Sequence, residues 1–505
     1  MAVVSTKSTY VNNIQTFFRN VTLNALGIER DFYQLMEDKD VHHALAMCDD
    51  NSTDVENALS EYNPQLHKVM RTPNKYPSGR SPYITCKHPR TRQRYINEVE
   101  LFFLLGSPIK WKKDNGEDEA FDLFTKFLKE SRFNVTTRKA KRLAGAETEC
   151  AKLYHITRDP VNDKVDWQVV VLSRSTGYLL RPLFDQFGNL VAFAYGFKRK
   201  NAYGRSVQCW EVQTAEIIYE CEKAAIGWNV TQYPNPTGKI NIIYYKQPKA
   251  WDGVEPRIDR EEELDSKIGD ANNYFADPVL MGTADAIKSI YSPETRGKLV
   301  RLSGEKSRLE YLNPPQASGM RKEEKDDLKE SILFDTFTPD FSIEKMKGFG
   351  TLTGKAIRNA MILGYIKRSK NIEIYEELVD REKNVIIELL KFLYPKMAAK
   401  LDALEISFEF GEPFSDDEQA NWTAISNLYK SGLLSLETAV SMLALAKAPE
   451  EEIDRIRMEQ IEKTLDGEEA KTEQAQETGK TPVDEDEEES ESVSESASEG
   501  EEVVA

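Results

Sequence analysis

The chain has 505 residues, of which 40% are hydrophobic and 30% are charged. That size and composition are typical of a globular protein with about two to four structural units. The net charge is −18, but residues 466–505 contain sixteen acidic residues and two lysines, which leaves −4 for residues 1–465. A weakly acidic body disfavours a tight electrostatic binder of nucleic acid, because such proteins display basic faces.

Membrane and disulfide-rich classes are also disfavoured. Apolar runs such as Leu101–Leu105 are far shorter than the ~20 residues that span a bilayer. The first residues lack a secretory signal pattern, so we expect the chain to fold in a cytoplasm. The five cysteines are widely spaced without a CxxC pair, which predicts reduced thiols. Cys86 and His88 could share a metal, but no second pair lies nearby, and a structural role is favoured.

The first half of the chain predicts a helical layer followed by a β region. Residues 10–145 show apolar positions at helical spacing, and residues 165–248 contain short β-branched and aromatic runs broken by Gly, Asn and Pro. Asp185–Asn189 is typical of a hairpin turn. The basic group Lys87, Arg90, Arg92 and Arg94 is compatible with a nucleic-acid contact or with a solvated loop.

The middle of the chain predicts two charged helices around a small β element. From Arg257, the residues Leu264, Ile268, Ala271 and Phe275 form one narrow apolar stripe on an otherwise charged helix. Runs at 298–302 and 308–312 flank a second hairpin signal. Another charged helix is predicted over 320–334. Both helices look too polar to be buried on all sides.

The C-terminal third predicts a loop, a long helix and a small helical unit. A glycine-containing loop at 339–354 precedes a helical pattern that ends at Pro395. Alternation at Ile406, Phe408 and Phe410 predicts a strand, and Ser415 with Glu418 forms a capping box before further helices. Beyond about residue 465, the Glu- and Ser-rich composition predicts a disordered tail.

The sequence predicts neither an enzyme nor a cofactor or metal protein. The segment Gly348–Lys355 is similar to a phosphate-binding loop, but Phe349 and Ala356 stand where such a loop needs a glycine and a magnesium-binding hydroxyl. No nucleophile elbow, metalloprotease helix or kinase signature occurs. Acidic pairs such as Asp326–Asp327 lie on charged helices, where they are usually solvated.

Three runs in chain order resemble the portal proteins of tailed bacteriophages, in particular the siphophage type. The segment Arg257–Pro278, which contains the run Glu263–Pro278, is similar to the helix that leads into the portal clip. Thr353–Arg358 is similar to the run that opens the long channel helix. Lys430–Ala439, followed by Pro449–Ile456, is similar to a portal segment with Gly, Ser, Glu-Thr, then Pro and an acidic helix. The resemblance covers residues 150–465, and the first 150 residues match in general character only.

The resemblance implies an α+β portal fold with an α/β wing, a two-helix stem, a β-containing clip, a long channel helix and a helical crown. It assigns these regions to the following ranges: 1–256 wing, helical first and β-rich over 150–250; 257–277 first stem helix; 278–316 clip; 317–338 second stem helix; 339–354 tunnel loop; 355–410 long kinked helix and return strand to the wing; 411–465 crown; 466–505 disordered acidic tail.

The resemblance also implies a function. Portal proteins form a dodecameric ring at one capsid vertex, through which double-stranded DNA is packaged and ejected, and they are not ATPases. The implied partners are the terminase large subunit, a head–tail connector or adaptor, and the major capsid and scaffolding proteins. The implied location is the virion, after synthesis in a bacterial cytoplasm. The open alternative is a non-enzymatic multidomain virion scaffold or adaptor with an acidic tail.

Two groups of site residues follow by order along the chain. The implied tunnel loop would contact DNA, and the implied clip would dock terminase or adaptor. The tunnel-loop residues are Lys345, Lys347, Gly348, Gly350 and Thr353, and the clip residues are Arg296, Lys298, Arg301, Lys306 and Arg308.

Overall fold

The computed structural model describes most of the chain and divides it into two compact units. The units comprise residues 1–414 and 415–505, and each is treated by itself. Helices and sheets are both abundant, which confirms the mixed helix-and-sheet class. Among the helices so described, none is both long and apolar enough to cross a bilayer. The described residues are 2–74, 84–158, 165–200, 204–276, 280–282, 309–311, 318–343, 358–359, 361–414, 418–443 and 452–459.

Helices dominate the first part of the chain, as predicted. At the start of the second helix, the Asp31 side chain accepts the Gln34 N–H at 2.7 Å while the Gln34 side chain accepts the Asp31 N–H, so two free donors of the first turn are satisfied. The elements are α1 Ala2–Ala25, α2 Phe32–Glu37, α3 Val41–Met47, α4 Ser52–Tyr62, α5 Arg92–Leu105, β1 Lys110–Asn115, α6 Asp118–Glu130 and α7 Phe133–Glu147.

The predicted β region contains eight antiparallel strands in two sheets. Strands β4 to β8 form a five-stranded meander in sequence order, and β2 pairs with both β3 and β9 in a three-stranded sheet. The turn after β4 lies at Asp185–Asn189, where the hairpin was predicted. The strands are β2 Glu149–Arg158, β3 Val165–Leu172, β4 Leu179–Phe184, β5 Leu190–Lys200, β6 Ser206–Thr214, β7 Ile217–Lys223, β8 Trp228–Pro234 and β9 Ile242–Lys246.

The five-stranded sheet is covered on both faces. One face packs against Phe32, Leu35 and Met36 of α2 and the start of α3. The other face packs Phe193 and Tyr195 against the three-stranded sheet. This sandwich explains the alternating apolar pattern of these strands, because successive side chains point to opposite faces.

Two charged helices lie side by side after the β region. They are α8 Glu255–Ala276 and α9 Ser318–Asp335. Between them, β10 Leu280–Gly282 pairs antiparallel with β11 Leu309–Tyr311. A strand was predicted over 308–312, and β11 occupies part of that range; its predicted partner at 298–302 lies outside the described residues.

A 32-residue helix crosses the main core near the end of the first unit. This helix, α10 Ile362–Leu393, buries Val385, Ile386 and Leu389 in a core cluster that also contains side chains of α6, α7 and β9. It ends immediately before Pro395, as predicted. After α11 Ala398–Asp402, strand β12 Glu405–Glu409 pairs antiparallel with β1. The strand predicted over 406–410 is therefore present in the first unit.

The second unit is helical in its described part. It contains α12 Glu418–Lys430, α13 Leu436–Leu443 and a helical segment at 452–459. Gly432 has a φ of +74° directly after α12, a left-handed conformation that glycine adopts without steric cost. The predicted capping-box residue Ser415 and the acidic tail at 466–505 lie outside the described residues.

Candidate functional site at the flanks of the loop and the root of the paired helices

All ten site residues that the resemblance implied lie outside the described residues, so their roles stay predictions. The structure instead describes the segments on both sides of them. The residues concerned are Lys345, Lys347, Gly348, Gly350 and Thr353 of the implied tunnel loop, and Arg296, Lys298, Arg301, Lys306 and Arg308 of the implied clip.

The chain that enters the 339–354 segment is held by one tyrosine of α5. The Tyr95 hydroxyl donates to the Pro339 carbonyl at 2.7 Å and accepts the Phe341 N–H at 2.8 Å. Burial raises the pKa of Tyr95, which keeps the hydroxyl in the neutral form that can donate. Asp340, between the two, pairs with Lys329 of α9 at 2.7 Å. The start of this segment is therefore fixed to both α5 and α9.

The first turn of α10 packs closely against α5. A Cβ atom placed on Gly364 would lie 2.2 Å from the Phe103 ring, so only glycine lets α10 approach α5 this closely. The Phe103 ring also contacts Phe341 and Phe414, with centroid separations of 6.4 and 5.9 Å. Both flanks of residues 344–357 thus converge on one aromatic cluster of α5.

An extended segment at 86–90 fastens α8 to the body by a hydrogen-bonded ladder. The backbone N–H groups of Cys86, His88 and Arg90 donate to side chains of α8 at 2.7, 3.0 and 2.7 Å. Their acceptors are Asp270, Ser266 and Glu262. Two residues of an extended segment span about 6.6 Å, and four residues of a helix span ~6 Å along its axis. Every second backbone N–H of the segment therefore lies beside a successive turn of α8.

Two residues of the basic group, Arg90 and Arg92, face α8, whereas the exposed Arg94 lies over the Tyr62 ring. Arg92 forms a bidentate pair with the buried Glu261 carboxylate at 2.7 and 2.9 Å. Arg90 pairs with Asp265. Burying a carboxylate is costly unless a cation accompanies it, and α8 carries these carboxylates on the face that the body covers.

A buried histidine completes the attachment of α8. His67 Nδ1 lies 2.7 Å from a Glu262 oxygen, and Nε2 lies 2.6 Å from the Glu61 carbonyl oxygen. Only the imidazolium ion donates from both nitrogens, so the geometry favours the charged form. Burial alone would lower the pKa of His67, but the bonds to Glu262 and Glu61 outweigh it, and the pKa is raised.

The predicted apolar stripe on α8 is therefore only part of its buried surface. Leu264 is buried, and Ile268 and Ala271 are partly buried, whereas nothing is described of the Phe275 side chain. Glu261, Glu262, Asp265 and Ser266 are also buried. The chain itself therefore covers this polar face of α8.

Ion pairs also join α8 to α9. Arg260 contacts Glu324 at 2.9 Å, Lys325 contacts Asp265 at 2.6 Å, and Arg257 pairs with Asp335. We call these three pairs the rungs. Because most of the rung side chains are more than two-fifths exposed, each contributes little stability by itself.

A buried charge cluster holds α10 against α5 and α7. Glu100 accepts from Lys141 of α7 and, at 3.2 Å, from Lys367 of α10. Lys141 also donates to Gln247 at 2.8 Å and Asn371 at 2.9 Å. Burial would raise the pKa of Glu100, but the two ammonium groups lower it to about 2. We call Glu100, Lys141 and Lys367 the interior charge cluster.

A second buried pair lies about four turns after Lys367 along α10. Glu382 accepts from Lys152 of β2 at 2.6 Å and from the Tyr245 hydroxyl at 3.0 Å. Lys152 also donates to Thr137 at 2.8 Å. Burial lowers the pKa of Lys152, while Glu382 opposes that shift. These two clusters connect the long helix rigidly to the sheet and to α7.

Sequence reasoning missed these attachment residues. The available signal was a run of carboxylates at 261, 262 and 265 on one helix face, with a cationic run at 87–94 elsewhere in the chain. Nothing local indicated that the two runs meet. No group of three or more His, Cys, Asp or Glu side chains in the described part of the chain is placed to hold a metal ion.

The sequence profile described as "Phage portal protein, SPP1 Gp6-like" matches residues 90–464. The chain belongs to this phage portal protein family. The match begins at Arg90, within the segment that fastens α8, and includes both charged helices and α10. The portal resemblance drawn from three short runs is thereby confirmed.

Many chains of solved structures also match this chain. A solved structure titled "Neck of native GTA particle computed with C12 symmetry" matches with 12% sequence identity and a TM-score of 0.40. The match covers 71% of this chain and 91% of that chain. No curated protein sequence matches the chain.

Proposed function

We propose that this chain is the repeating subunit of a portal ring that surrounds a DNA channel at one vertex of a phage capsid. Membership of the portal family over residues 90–464 carries the proposal. In this proposal the ring is a dodecamer, and α8 and α9 form its stem. The wing, clip, tunnel loop and crown have the ranges that the resemblance implies.

The attachment of α8 and α10 supports a mechanical role. A ring that guides DNA must hold its channel elements in fixed positions while the duplex moves. The ladder from residues 86–90, the His67–Glu262 pair and the interior charge cluster tie both helices to one body. Paired and hydrogen-bonded buried charges give such a joint one preferred geometry.

Electron microscopy of the purified full-length chain tests the proposal. We expect negatively stained rings with a central hole, and a mass by light scattering that is a multiple of the subunit mass of 57.7 kDa. The alternative, a scaffold or adaptor protein, gives particles without a central channel. A monomer at micromolar concentration contradicts the proposed ring.

The implied tunnel loop supplies the proposed contact with DNA. Lys345 and Lys347, repeated around a ring, would make discrete contacts with phosphates, while Gly348, Gly350 and Thr353 would shape the backbone beside them. The rest of the body is weakly acidic, which lets the duplex slide. The double change Lys345→Ala, Lys347→Ala should alter genome packaging or retention and leave ring assembly intact. Normal genome content in that variant would remove these lysines from the mechanism.

The implied clip supplies the proposed docking surface for a terminase large subunit and for a head–tail connector. Its basic residues are Arg296, Lys298, Arg301, Lys306 and Arg308. Capsid and scaffolding proteins are proposed partners of the wing. Reversing the charge of Arg301 and Lys306 should weaken terminase pull-down without changing ring formation. Unchanged pull-down at two salt concentrations would remove them from the interface.

We further propose that the chain does not hydrolyse nucleotides. The segment at Gly348–Lys355 lacks the spaced glycine and the magnesium-binding hydroxyl of a phosphate-binding loop. Turnover of ATP by purified protein that is abolished by Lys355→Ala would contradict this.

A further inference from the structure

A groove lies between α3 and one face of the five-stranded sheet. It is lined by His42 and Leu45 of α3, Leu179 of β4, Trp210 of β6, Lys223 of β7 and Trp228 of β8. Its volume is about 470 Å³, within the range of sites that enclose large side chains or small ligands. An adjoining cavity of about 250 Å³ shares His42, Lys223 and Trp228 and extends toward α1. The second cavity is also lined by Asp40, whose carboxylate pairs with Arg30 at 2.7 Å. We call the two adjoining cavities together the α3 groove.

The floor of the α3 groove is apolar and rigid. Trp210 is only 8% exposed, and Gly196 stands opposite it on β5. A Cβ atom on Gly196 would lie 2.8 Å from the indole ring, so only glycine lets the ring lie across the strand. Leu45 and Leu179 pack beside it. The floor is therefore a preformed surface for an apolar side chain.

The rim of the α3 groove is cationic. Beside the groove, strand β5 continues past Gly196 to Lys198, the cross-strand partner of the groove-lining Gln208, and then to Lys200. Alternation places both lysines on the same sheet face as Trp210, about 6.8 Å apart. Lys223 faces the groove with its ammonium 4.7 Å from the Trp228 ring. All three lysines are exposed, and no carboxylate in the described part of the chain forms an ion pair with them. A local cluster of cations without ion pairs stands out on a body, residues 1–465, whose net charge is −4.

We propose that the α3 groove binds an acidic segment of a partner protein that inserts one large apolar side chain. Charge complementarity identifies the acidic flanks, because free ammonium groups around a depression attract carboxylates and speed association. The apolar floor identifies the anchor, since large buried side chains supply most of the affinity at protein interfaces. A DNA duplex offers phosphates, but its exposed apolar groups, the thymine methyls, lie within the major groove and do not project as an anchor toward Trp210. The inference does not depend on the ring or the channel.

Peptide binding to the full-length protein tests the proposal by fluorescence anisotropy. The probe is a labelled peptide of about twelve residues, with Asp and Glu around one central Leu or Trp. We expect saturable binding that weakens about tenfold when the anchor is changed to Ala, and that weakens further as salt is raised. A lysine-rich peptide with the same anchor should not bind.

Three variants separate the floor from the rim. Lys198→Glu with Lys200→Glu should weaken binding about tenfold by reversing the rim charge. Ala46→Trp, at an exposed position of α3 that lines the groove, should block the floor and abolish binding without burying new surface in the core. The matched control is Lys110→Glu with Lys112→Glu, an exposed pair at the same spacing on β1, which should leave binding within about twofold.

Several outcomes overturn the proposal. Absence of peptide binding does so, as does equal binding by the peptide without its anchor. Stronger binding of a DNA oligonucleotide, lost in the Lys198→Glu, Lys200→Glu variant, would assign the groove to nucleic acid. A change in particle mass in Ala46→Trp, seen by light scattering, would assign it to a second copy of this chain. Ring imaging is unaffected by these results, so the proposed function is tested separately.

Discussion

Two regions of this molecule contain the same kinds of charged side chain, but the ion pairs differ in how much they stabilise the fold. The interior charge cluster buries Glu100 between Lys141 and Lys367, whereas the rungs between α8 and α9 leave most of their charges in contact with water. In the cluster, burial strengthens each interaction and makes every missing partner costly. At the rungs, water screens each pair, so no single pair matters. Charge composition alone therefore does not show which helices are rigidly held.

The largest expected effect comes from removing the central carboxylate. Glu100→Gln leaves two buried ammonium groups with only neutral acceptors, and we expect a loss of about 3–5 kcal/mol in the free energy of unfolding. Urea unfolding followed by fluorescence measures it. The double variant Glu100→Gln, Lys367→Met should recover part of the loss, because it removes one of the two buried ammonium groups that Glu100→Gln leaves without a carboxylate. The control is Glu98→Gln, which breaks the exposed Arg142 pair on the same helix and should cost at most about 1 kcal/mol. If Glu100→Gln and Glu98→Gln lost equal free energy of unfolding, the buried pair would contribute no more stability than the exposed one.

The acid dependence of stability sharpens the same point. The pKa of Glu100 lies at about 2, below its ordinary value of 4.5. Its contribution to stability is therefore present above pH 4.5 and is lost as the pH falls toward 2. The stability difference between the wild type and Glu100→Gln should shrink across that window. A stability difference that stays constant from pH 5 to about pH 3 would show that the two lysines do not hold the pKa of Glu100 below its ordinary value.

Close packing of α10 gives the next effect. Gly364→Ala places a Cβ atom 2.2 Å from the Phe103 ring, so we expect a loss of about 1–3 kcal/mol from overpacking. Gly319→Ala, in the first turn of α9, meets no atom within 4 Å and should be neutral or slightly stabilising. Thermal unfolding of the two variants makes the comparison. Similar unfolding temperatures would show that α10 can move away from α5 at little cost.

The His67–Glu262 pair should contribute less stability than the interior charge cluster and more than the rungs, because it is buried but its histidine can lose its charge. The pKa of His67 is raised, so its stabilisation is complete below the ordinary value of 6.5 and is lost as the pH rises through the raised pKa. His67→Gln keeps one donor, and we expect it to cost about 1 kcal/mol near pH 6 and less at alkaline pH. Urea unfolding at several pH values measures this. A cost that grows with pH would mean that the histidine is neutral in the folded protein.

The smallest effect is expected at the rungs. Arg260→Ala removes an exposed side chain that contacts Glu263 and Glu324, and the unfolding midpoint should not change measurably. A large shift would show that the two helices depend on this pair. Arg92→Ala is the informative comparison, since Arg92 pairs with the buried Glu261 and should destabilise clearly.

The sequence by itself determined the mixed fold, the positions of several helices and strands, and the family. These follow from local signals: apolar periodicity, turn residues such as Asp185–Asn189, the proline that ends α10, and short runs in a characteristic order. Such signals act over a few residues, so a single chain displays them without knowledge of its partners in space.

Only the tertiary structure decided what the charged residues do. Arg92 meets Glu261 across 169 positions of the chain, and Lys141 meets Asn371 across 230. No periodicity links such pairs, because the fold of the intervening chain brings them together. The same holds for the α3 groove, whose floor and rim come from α3 and from β4 to β8. Residues that looked like a solvated or nucleic-acid-binding loop therefore became the attachment of a helix, because a buried carboxylate requires a cation beside it.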